Sequence, residues 1–275
     1  MIDGVNSLLM KSFTTRLSEE IAKKKSHLCV GLDICPEGFG NKNAKISDLI
    51  TYSLKVLDAT IDLAVCYKPN LAFFERWGSD GFKWLEEIIA YIGNKNIIIA
   101  DGKRGDIGNT AKQYAISLFD YFGFDAVTLN PYMGSDSIKP FIENPDKGVF
   151  ILCRTSNPSA LELQDFQVGK NNLYKKVAEL AVELNINDNI GLVVGATAPS
   201  EIRKIRKIAP KLPFLIPGIG AQGGDLEKSM QYGNEDGIAI INISRGISFA
   251  GDMSGRAIKN AAQDFVDKMQ EIVNG

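Results

Sequence analysis

The sequence is poor in the residues that most often carry nucleophilic or metal chemistry. It has one histidine, His27, and four cysteines that form no C-x-x-C pair, at positions 29, 35, 66 and 153. Structural zinc sites need clustered cysteines and histidines, and Ser-His or Cys-His catalysis needs a histidine beside its nucleophile. The composition therefore disfavours both, and we expect reduced cysteines in buried strands.

The sequence also lacks an excess of either charge and a long apolar run. It has 31 Lys+Arg against 33 Asp+Glu, a formal net charge of -2. No apolar run comes near the roughly 18 residues that a membrane span needs. The stretch "MIDGVNSLLMKSFTTRL" has neither the apolar core nor the small-residue cleavage site of a signal peptide. We therefore expect no nucleic-acid partner, no membrane partner and a cytoplasmic location.

What the chain does contain is a repeated alternation of short apolar runs and segments with helical spacing. The runs are "HLCVGLD", "AVCYKPN", "NIIIADGK", "DAVTLN", "GVFILCR", "IGLVVGA", "FLIPGIG" and "GIAIINISR". Short apolar runs that do not alternate with polar residues are typical of parallel strands buried on both faces. Eight such units without a linker predict an α/β fold, one (β/α)₈ TIM barrel over residues 1–275, rather than an open doubly wound sheet. We also predict an extra N-terminal helix near Ser7–Lys25.

Polar side chains collect where these predicted strands end. The residues that close the runs include Asp33, Lys68, Asn70, Asp101, Lys103, Asn130, Thr155, Ser156, Gln222 and Arg245. In a (β/α)₈ barrel the carboxyl ends of the strands meet at one face, where the active site lies. Buried charges are costly unless they are paired or used, so we predict a functional site at this rim.

The stretch "ADGKRGDIGNTA" places Asp101, Lys103 and Asp106 in one charged cluster. Alternation along a strand directs Asp101 and Lys103 to the same side, while Asp106 is placed to return to Lys103 or to reach a neighbouring subunit. A lysine between carboxylates is held as an ammonium ion, which favours a proton donor over a Schiff-base nucleophile. A salt-bridge network without chemistry is the alternative. Asn109 and Thr110 then serve either as helix caps or as ligand contacts.

A glycine-rich turn, "PGIGAQGGD", follows the seventh predicted strand. Its G-x-G-x-x-G spacing is also found in dinucleotide-binding folds, so an NADP-dependent oxidoreductase with Arg245 on the 2′-phosphate is one alternative. In a barrel, the loops after strands seven and eight more often form a phosphate site, which matches the turn together with Arg245. A non-catalytic phosphate-binding barrel is a further alternative, since it needs the turn but not Lys103.

Taken in register, the motifs "VGLD", "YKPN", "DGKRGDIGNT", "TSNP", "PGIGAQGGD" and "SRG" resemble the orotidine 5′-phosphate decarboxylases, specifically the bacterial, mycobacterial-like type. The resemblance spans nearly the whole chain. It implies conversion of orotidine 5′-monophosphate to UMP and CO₂ in de novo pyrimidine biosynthesis, without metal or cofactor. It also implies a homodimer whose active sites are shared across the interface.

The resemblance assigns roles to individual residues. The implied catalytic residues are Lys103, Asp101 and Asp106, with Lys103 as the proton donor to C6 of the pyrimidine. The implied substrate-binding residues are Asp33, Lys68, Ile107, Thr110, Ser156, Gln222, Gly223, Gly224 and Arg245. Asp106, Ile107 and Thr110 match positions that family members deliver across the dimer interface. The loop "TSNPSALELQDFQVGKNN" departs from the shorter loop of other branches.

Magnesium-dependent decarboxylases and synthases that act on sugar phosphates share the strand-three motif. They are the nearest enzymatic alternative. That group places a metal-binding carboxylate on strand two, where this chain has Lys68. Because a cation is a poor metal ligand, the sequence favours the metal-free reaction.

Overall fold

Eight of the ten strands within residues 11–220 and 223–274, the part that this computed structural model describes, close into a parallel barrel. The strands are β1 (Leu28–Leu32), β2 (Cys66–Pro69), β3 (Ile97–Arg104), β4 (Ala126–Leu129), β5 (Gly148–Arg154), β6 (Gln167–Val168), β7 (Asn171–Asn172), β8 (Ile190–Val194), β9 (Phe214–Pro217) and β10 (Ala239–Ile243). Around the barrel the order is β1-β10-β9-β8-β5-β4-β3-β2, which follows the chain. Each barrel strand coincides with one of the eight predicted runs, with β3 extending one residue beyond its run to Arg104, so the predicted barrel is confirmed.

Helices cover the outside of the barrel and connect its strands. They are α1 (Phe13–Lys24), α2 (Ile46–Thr60), α3 (Leu71–Glu75), α4 (Gly78–Ile92), α5 (Gly108–Ala115), α6 (Lys139–Ile142), α7 (Ala160–Leu163), α8 (Leu173–Leu184), α9 (Pro199–Ile208), α10 (Leu226–Gly233), α11 (Arg245–Ser248) and α12 (Gly255–Asn274). The apolar faces of the outer helices pack on the strands in one large cluster, and α1 packs on a second, smaller cluster of strand residues. Among the described helices, none combines the length and apolar character that crossing a bilayer requires.

Helix α1 closes the amino-terminal end of the barrel. The Ser12 hydroxyl caps it by accepting the N–H of Thr15 at 3.1 Å, so the helix begins at Phe13, later than the predicted Ser7. Positions 7–10 of that prediction lie outside the described residues. Phe13 is fully buried and meets the ring of Phe150 edge-on, with 5.8 Å between centroids. A Cβ atom at position 148 would collide with the Phe13 ring, which accounts for glycine there.

The connection after β5 contains more structure than the predicted polar loop. It forms the short helix α7 and a two-stranded antiparallel hairpin of β6 and β7. The guanidinium Nε of Arg154 lies 3.4 Å from Oδ1 of Asp165, and the side chain of Gln164 bonds both the N–H and the hydroxyl of Thr155. These contacts hold the connection against the end of β5.

The four cysteines are all free thiols. Cys29, Cys66 and Cys153 are buried in strands β1, β2 and β5, as predicted. Cys35 departs from the prediction, because it is only half-buried and lies beyond the end of β1. Burial raises the pKa of the Cys153 thiol, which keeps it protonated near neutral pH.

Candidate active site

A cavity of about 500 Å³ opens at the carboxyl ends of the barrel strands. Side chains alternate between the two faces of a strand, so residues two apart along a barrel strand both point into the barrel interior. Six of the predicted site residues line the cavity: Asp33, Lys68, Asp101, Lys103, Ser156 and Arg245. The barrel topology therefore brings together side chains that are up to about 200 residues apart in sequence.

Asp101 lies between two lysines at the centre of the cavity wall. Its Oδ2 accepts a hydrogen bond from Nζ of Lys68 at 2.6 Å, and its Oδ1 accepts one from Nζ of Lys103 at 2.6 Å. Lys68 is 5% exposed and Asp101 is 9% exposed, whereas the side chain of Lys103 is about half exposed to the cavity. The buried carboxylate thus holds the more open ammonium group at the point where a ligand would enter.

The charges of this array set its protonation. Burial raises the pKa of the Asp101 carboxyl, but the ammonium groups of Lys68 and Lys103 outweigh it and hold that pKa well below its usual range. Burial lowers the pKa of Lys68, but the carboxylates of Asp101 and Asp33 outweigh it and raise that pKa above its usual value. Asp101 is therefore an anion and Lys68 a cation throughout the physiological range.

Strand β3 reaches this geometry through an irregularity that simple alternation does not predict. The β3–β4 register shifts between Ala100 and Arg104, and Lys103 has a φ of 45°. A residue with a Cβ atom in this left-handed region carries strain of about 1–3 kcal/mol. The backbone N–H of Lys103 is bound by the hydroxyl of Thr128 at 2.9 Å. The predicted convergence of Asp101 and Lys103 is therefore present, but on a bulged strand.

Two polar oxygen atoms at the cavity wall are buried without a hydrogen-bond partner. They are Oδ1 of Asp33 and Oγ of Ser244, and both residues line the cavity. Buried polar groups normally have a partner, so unpartnered ones beside a cavity are available to a ligand hydroxyl or amide. The sequence predicted a role for Asp33 but not for Ser244.

The glycine-rich turn lies beside Arg245 on the far side of the cavity. Pro217, Gly218 and Ile219 line it together with Arg245, which begins α11. The N–H of Gly223 donates to the carbonyl of Gly220 at 2.9 Å, and that of Gly224 donates to the carbonyl of Gly218 at 3.0 Å. The backbone N–H groups of the two predicted phosphate-binding glycines therefore make hydrogen bonds within the turn. Gln222 lies outside the described residues.

The remaining predicted residues, Asp106, Ile107 and Thr110, follow β3, where Asp106 is half-buried and the other two are exposed. None of them is among the described residues that line the cavity of their own chain. Oδ1 of Asp106 accepts the N–H of Ile107 at 2.8 Å, and Ile107 is 50% exposed. Because the ammonium of Lys103 pairs with Asp101, the structure does not show Asp106 returning to Lys103.

Sequence reasoning missed several polar residues in the cavity wall. Thr128 and Asn242 lie inside the buried strands β4 and β10, and Asn157 and Gln164 come from the connection after β5. A polar residue inside an otherwise apolar run, as in "AVTL" and "AIINI", is the signal that could have found the first two. Nothing in the spacing of the polar loop after β5 distinguishes the other two from their neighbours.

The model of the family described as orotidine 5′-phosphate decarboxylase / HUMPS matches residues 26–259 of the chain. The chain belongs to this family. A protein of Haloarcula marismortui named orotidine 5′-phosphate decarboxylase is 44% identical over 281 residues, which cover 95% of this chain and 98% of that protein. One of Natronomonas pharaonis with the same name is 47% identical over 244 residues, which cover 88% and 90%.

Solved structures of family members have the same fold. The orotidine monophosphate decarboxylase of Leishmania donovani is 40% identical, with a TM-score of 0.85 over 96% of this chain and 99% of that one. The UMP synthase of the same organism is 41% identical, with a TM-score of 0.86 over 95% of this chain. This chain spans only 56% of that UMP synthase, so the similarity concerns one part of the longer protein.

Two features of the site distinguish the decarboxylase from the magnesium-dependent and NADP-dependent alternatives. The carboxylate of Asp101 is occupied on both oxygens by the ammonium groups of Lys68 and Lys103, which leaves it poorly placed to bind a metal ion. The glycine-rich turn follows the seventh strand of a closed barrel, whereas the dinucleotide fingerprint follows the first strand of an open sheet. The first observation disfavours the magnesium-dependent activity, and the second disfavours the NADP-dependent one.

Proposed function

We propose that the chain, as a single decarboxylase domain over residues 1–275, converts orotidine 5′-phosphate to UMP and CO₂ in de novo pyrimidine biosynthesis. The observation that carries the proposal is the carboxylate of Asp101 fixed between Lys68 and Lys103 at the mouth of the barrel. This arrangement occurs in a chain that belongs to the decarboxylase family. The chain is 44% identical, over 95% of its own length, to the orotidine 5′-phosphate decarboxylase of Haloarcula marismortui.

The chemical difficulty of this reaction is the carbanion left at C6. The C6–carboxylate bond breaks, its electron pair stays on C6, and no adjacent carbonyl delocalises the charge. In the proposed mechanism the ammonium of Lys103 stabilises the developing carbanion and then donates its proton to C6 to give UMP. The proton of Lys103 is restored from solvent, so the proton balance closes without a cofactor.

Asp101 contributes to this mechanism in two ways. It holds the ammonium of Lys103 through a 2.6 Å hydrogen bond, so the proton donor is in place before the substrate reacts. Its negative charge also faces the substrate carboxylate, which favours departure of that group as neutral CO₂. Lys68 keeps the carboxylate of Asp101 ionised for both purposes.

The remaining cavity residues are proposed to bind the substrate away from the reacting carbon. Asp33 and Lys68 contact the ribose hydroxyls, and the unpartnered Oδ1 of Asp33 supports this role. Ser156 reads the pyrimidine edge. Gln222, Gly223, Gly224 and Arg245 bind the phosphate. Binding energy from a remote phosphate can be used to close the site around the reacting group.

The proposed working form is a homodimer with shared active sites. Asp106, Ile107 and Thr110 lie outside the cavity of their own chain, and Ile107 exposes half of an apolar side chain. Tyr132 and Met133, in the loop after the adjacent strand β4, are also exposed apolar residues. Apolar surface of this kind on neighbouring loops is typical of an interface with a second copy of the chain.

We propose a cytoplasmic location for the enzyme. Its four cysteines are free thiols, as is usual in a reducing compartment. The location is tested by immunoblotting of cell fractions, in which the chain should follow a cytoplasmic marker.

A spectrophotometric assay with orotidine 5′-phosphate tests the proposed function. Wild-type protein should convert the substrate to UMP, with the loss of the orotate chromophore and release of one CO₂ for each UMP. Protein in which Lys103 is replaced by alanine serves as the matched blank. Absence of UMP formation by folded wild-type protein would overturn the proposal.

A further inference from the structure

We infer that Thr128 is a positioning residue for this reaction, because its hydroxyl joins the backbone of Lys103 to the carboxylate of Asp101. The inference rests on the proposed function and extends it to a residue outside the motifs that identify the family. Thr128 lies in β4, is 1% exposed and lines the cavity. Its Oγ1 accepts the N–H of Lys103 at 2.9 Å and donates to Oδ1 of Asp101 at 3.0 Å.

Thr128 stands at the one place where β3 and β4 lose their regular pairing. Ala100 lies opposite Val127 and Arg104 lies opposite Leu129, so residues 101–103 of β3 face Thr128 alone. In a regular parallel ladder each residue faces a single partner residue, and backbone groups satisfy each other. At this bulge the side-chain hydroxyl of Thr128 replaces a backbone acceptor for the N–H of Lys103.

The conformation of Lys103 needs such support. Its φ of 45° is in the left-handed region, which a residue with a long side chain adopts only where its surroundings hold it there. From this conformation its Nζ returns to Oδ1 of Asp101 at 2.6 Å, the same oxygen that receives the Thr128 hydroxyl. One hydroxyl therefore fixes the backbone of the proton donor and the carboxylate that directs it.

Removing the hydroxyl should relax this arrangement without removing a charge. Valine has nearly the same shape as threonine, but it can neither accept from Lys103 nor donate to Asp101. Asp101 would keep both lysines, and the residues proposed to bind phosphate and pyrimidine would be untouched. Since a displacement of about 1 Å at the reacting groups can cost roughly 10²-fold in rate, the loss should fall on kcat.

The test compares Thr128→Val with Thr128→Ser, which keeps the hydroxyl. For Thr128→Val we expect kcat to fall roughly 10- to 100-fold, while KM and the dissociation constant of UMP change by less than about threefold. Thr128→Ser should recover kcat to within about threefold of wild type. The matched control is Thr60→Val, at a fully buried threonine whose hydroxyl bonds Val56 and Tyr67 instead, and its kcat should be unchanged.

Three results would overturn the inference: wild-type kcat in Thr128→Val, equal losses in the valine and serine variants, or a loss of UMP affinity that matches the loss of kcat. If Thr128→Val does not fold, Thr128→Ala replaces it. If neither folds, the inference stands or fails on Thr128→Ser, which must fold and keep kcat within about threefold of wild type. Failure of wild-type protein to form UMP overturns the proposed function instead, so the two failures are distinguishable.

Discussion

Nζ of Lys103 lies 2.6 Å from Oδ1 of Asp101, and the opposite oxygen of this carboxylate is held by Lys68. The carboxylate cannot turn away from Lys103 without breaking the buried pair with Lys68. An ammonium ion fixed in this way is ready to meet negative charge that develops at one point in the cavity. The charged side chains that line the cavity carry a net positive charge, since Lys68, Lys103 and Arg245 outnumber Asp33 and Asp101, and this suits a substrate that enters as an anion.

Replacement of Lys103 by alanine should abolish turnover without abolishing binding. Loss of both the positive charge and the proton donor should lower kcat by roughly 10³-fold or more, while UMP still binds in calorimetry. The matched control is Lys204→Ala, an exposed lysine that pairs with Glu201 on an outer helix, and it should keep wild-type kcat. A non-catalytic phosphate-binding barrel would instead show no dependence of its function on Lys103.

Mixing two inactive variants should restore activity if the sites are shared between subunits. Lys103→Ala and Asp106→Ala each inactivate every site of their own homodimer. A heterodimer would combine both defects in one site and leave the other intact, so random mixing should restore about a quarter of wild-type activity. The measurement is the UMP rate after joint refolding. No recovery, with heterodimers present by native mass spectrometry, would argue against Asp106 acting across an interface.

Arg245→Ala should weaken recognition of the phosphate. Loss of one charge-assisted contact costs about 1.5–3 kcal/mol, which corresponds to a drop in kcat/KM of roughly 10- to 150-fold. Turnover of orotidine, which lacks the phosphate, should be unaffected, and this comparison separates a phosphate contact from a general loss of structure. Arg256→Ala, at an exposed arginine on α12, is the control. Equal losses on both substrates would contradict the assignment.

Asp101→Asn should lower the free energy of unfolding by about 3–5 kcal/mol, because Lys68 would remain buried without its counter-charge. The folded-state pKa of Asp101 is depressed below its ordinary value of 3.8. Its contribution to the free energy of unfolding is therefore complete above the ordinary pKa, and it is lost as pH falls from there through the folded-state pKa. The folded-state pKa of Lys68 is raised, so its contribution is lost only in strong alkali. Urea unfolding should therefore give a constant wild-type-minus-variant difference between about pH 5 and 9, which shrinks in acid.

Addition of a chelator should leave the turnover of orotidine 5′-phosphate unchanged. Both oxygens of Asp101 are occupied by ammonium groups, and in the proposed mechanism the ammonium of Lys103 meets the developing charge at C6. The measurement is kcat before and after treatment with excess EDTA, followed by addition of Mg²⁺. Loss of activity that returns with Mg²⁺ would favour the magnesium-dependent alternative.

The barrel and most of its rim could be predicted because the relevant signals are local. The run "NIIIADGK" predicts a strand over 96–103, and β3 spans Ile97–Arg104. Burial on both faces selects apolar residues, and the chain leaves each strand where polar residues begin. The hairpin of β6 and β7 was missed because its short strands lie in a polar segment without period-two alternation.

The sequence by itself determined the fold class, the order of the strands and the identity of most charged residues at the rim, since each depends on the pattern of a few neighbouring residues. Only the tertiary structure decided how these residues meet. The bulge at Lys103, the part of Thr128 in it and the unpartnered Oδ1 of Asp33 arise from the packing of strands distant in sequence. Hydrogen bonds between such strands depend on register and twist, which no local pattern encodes.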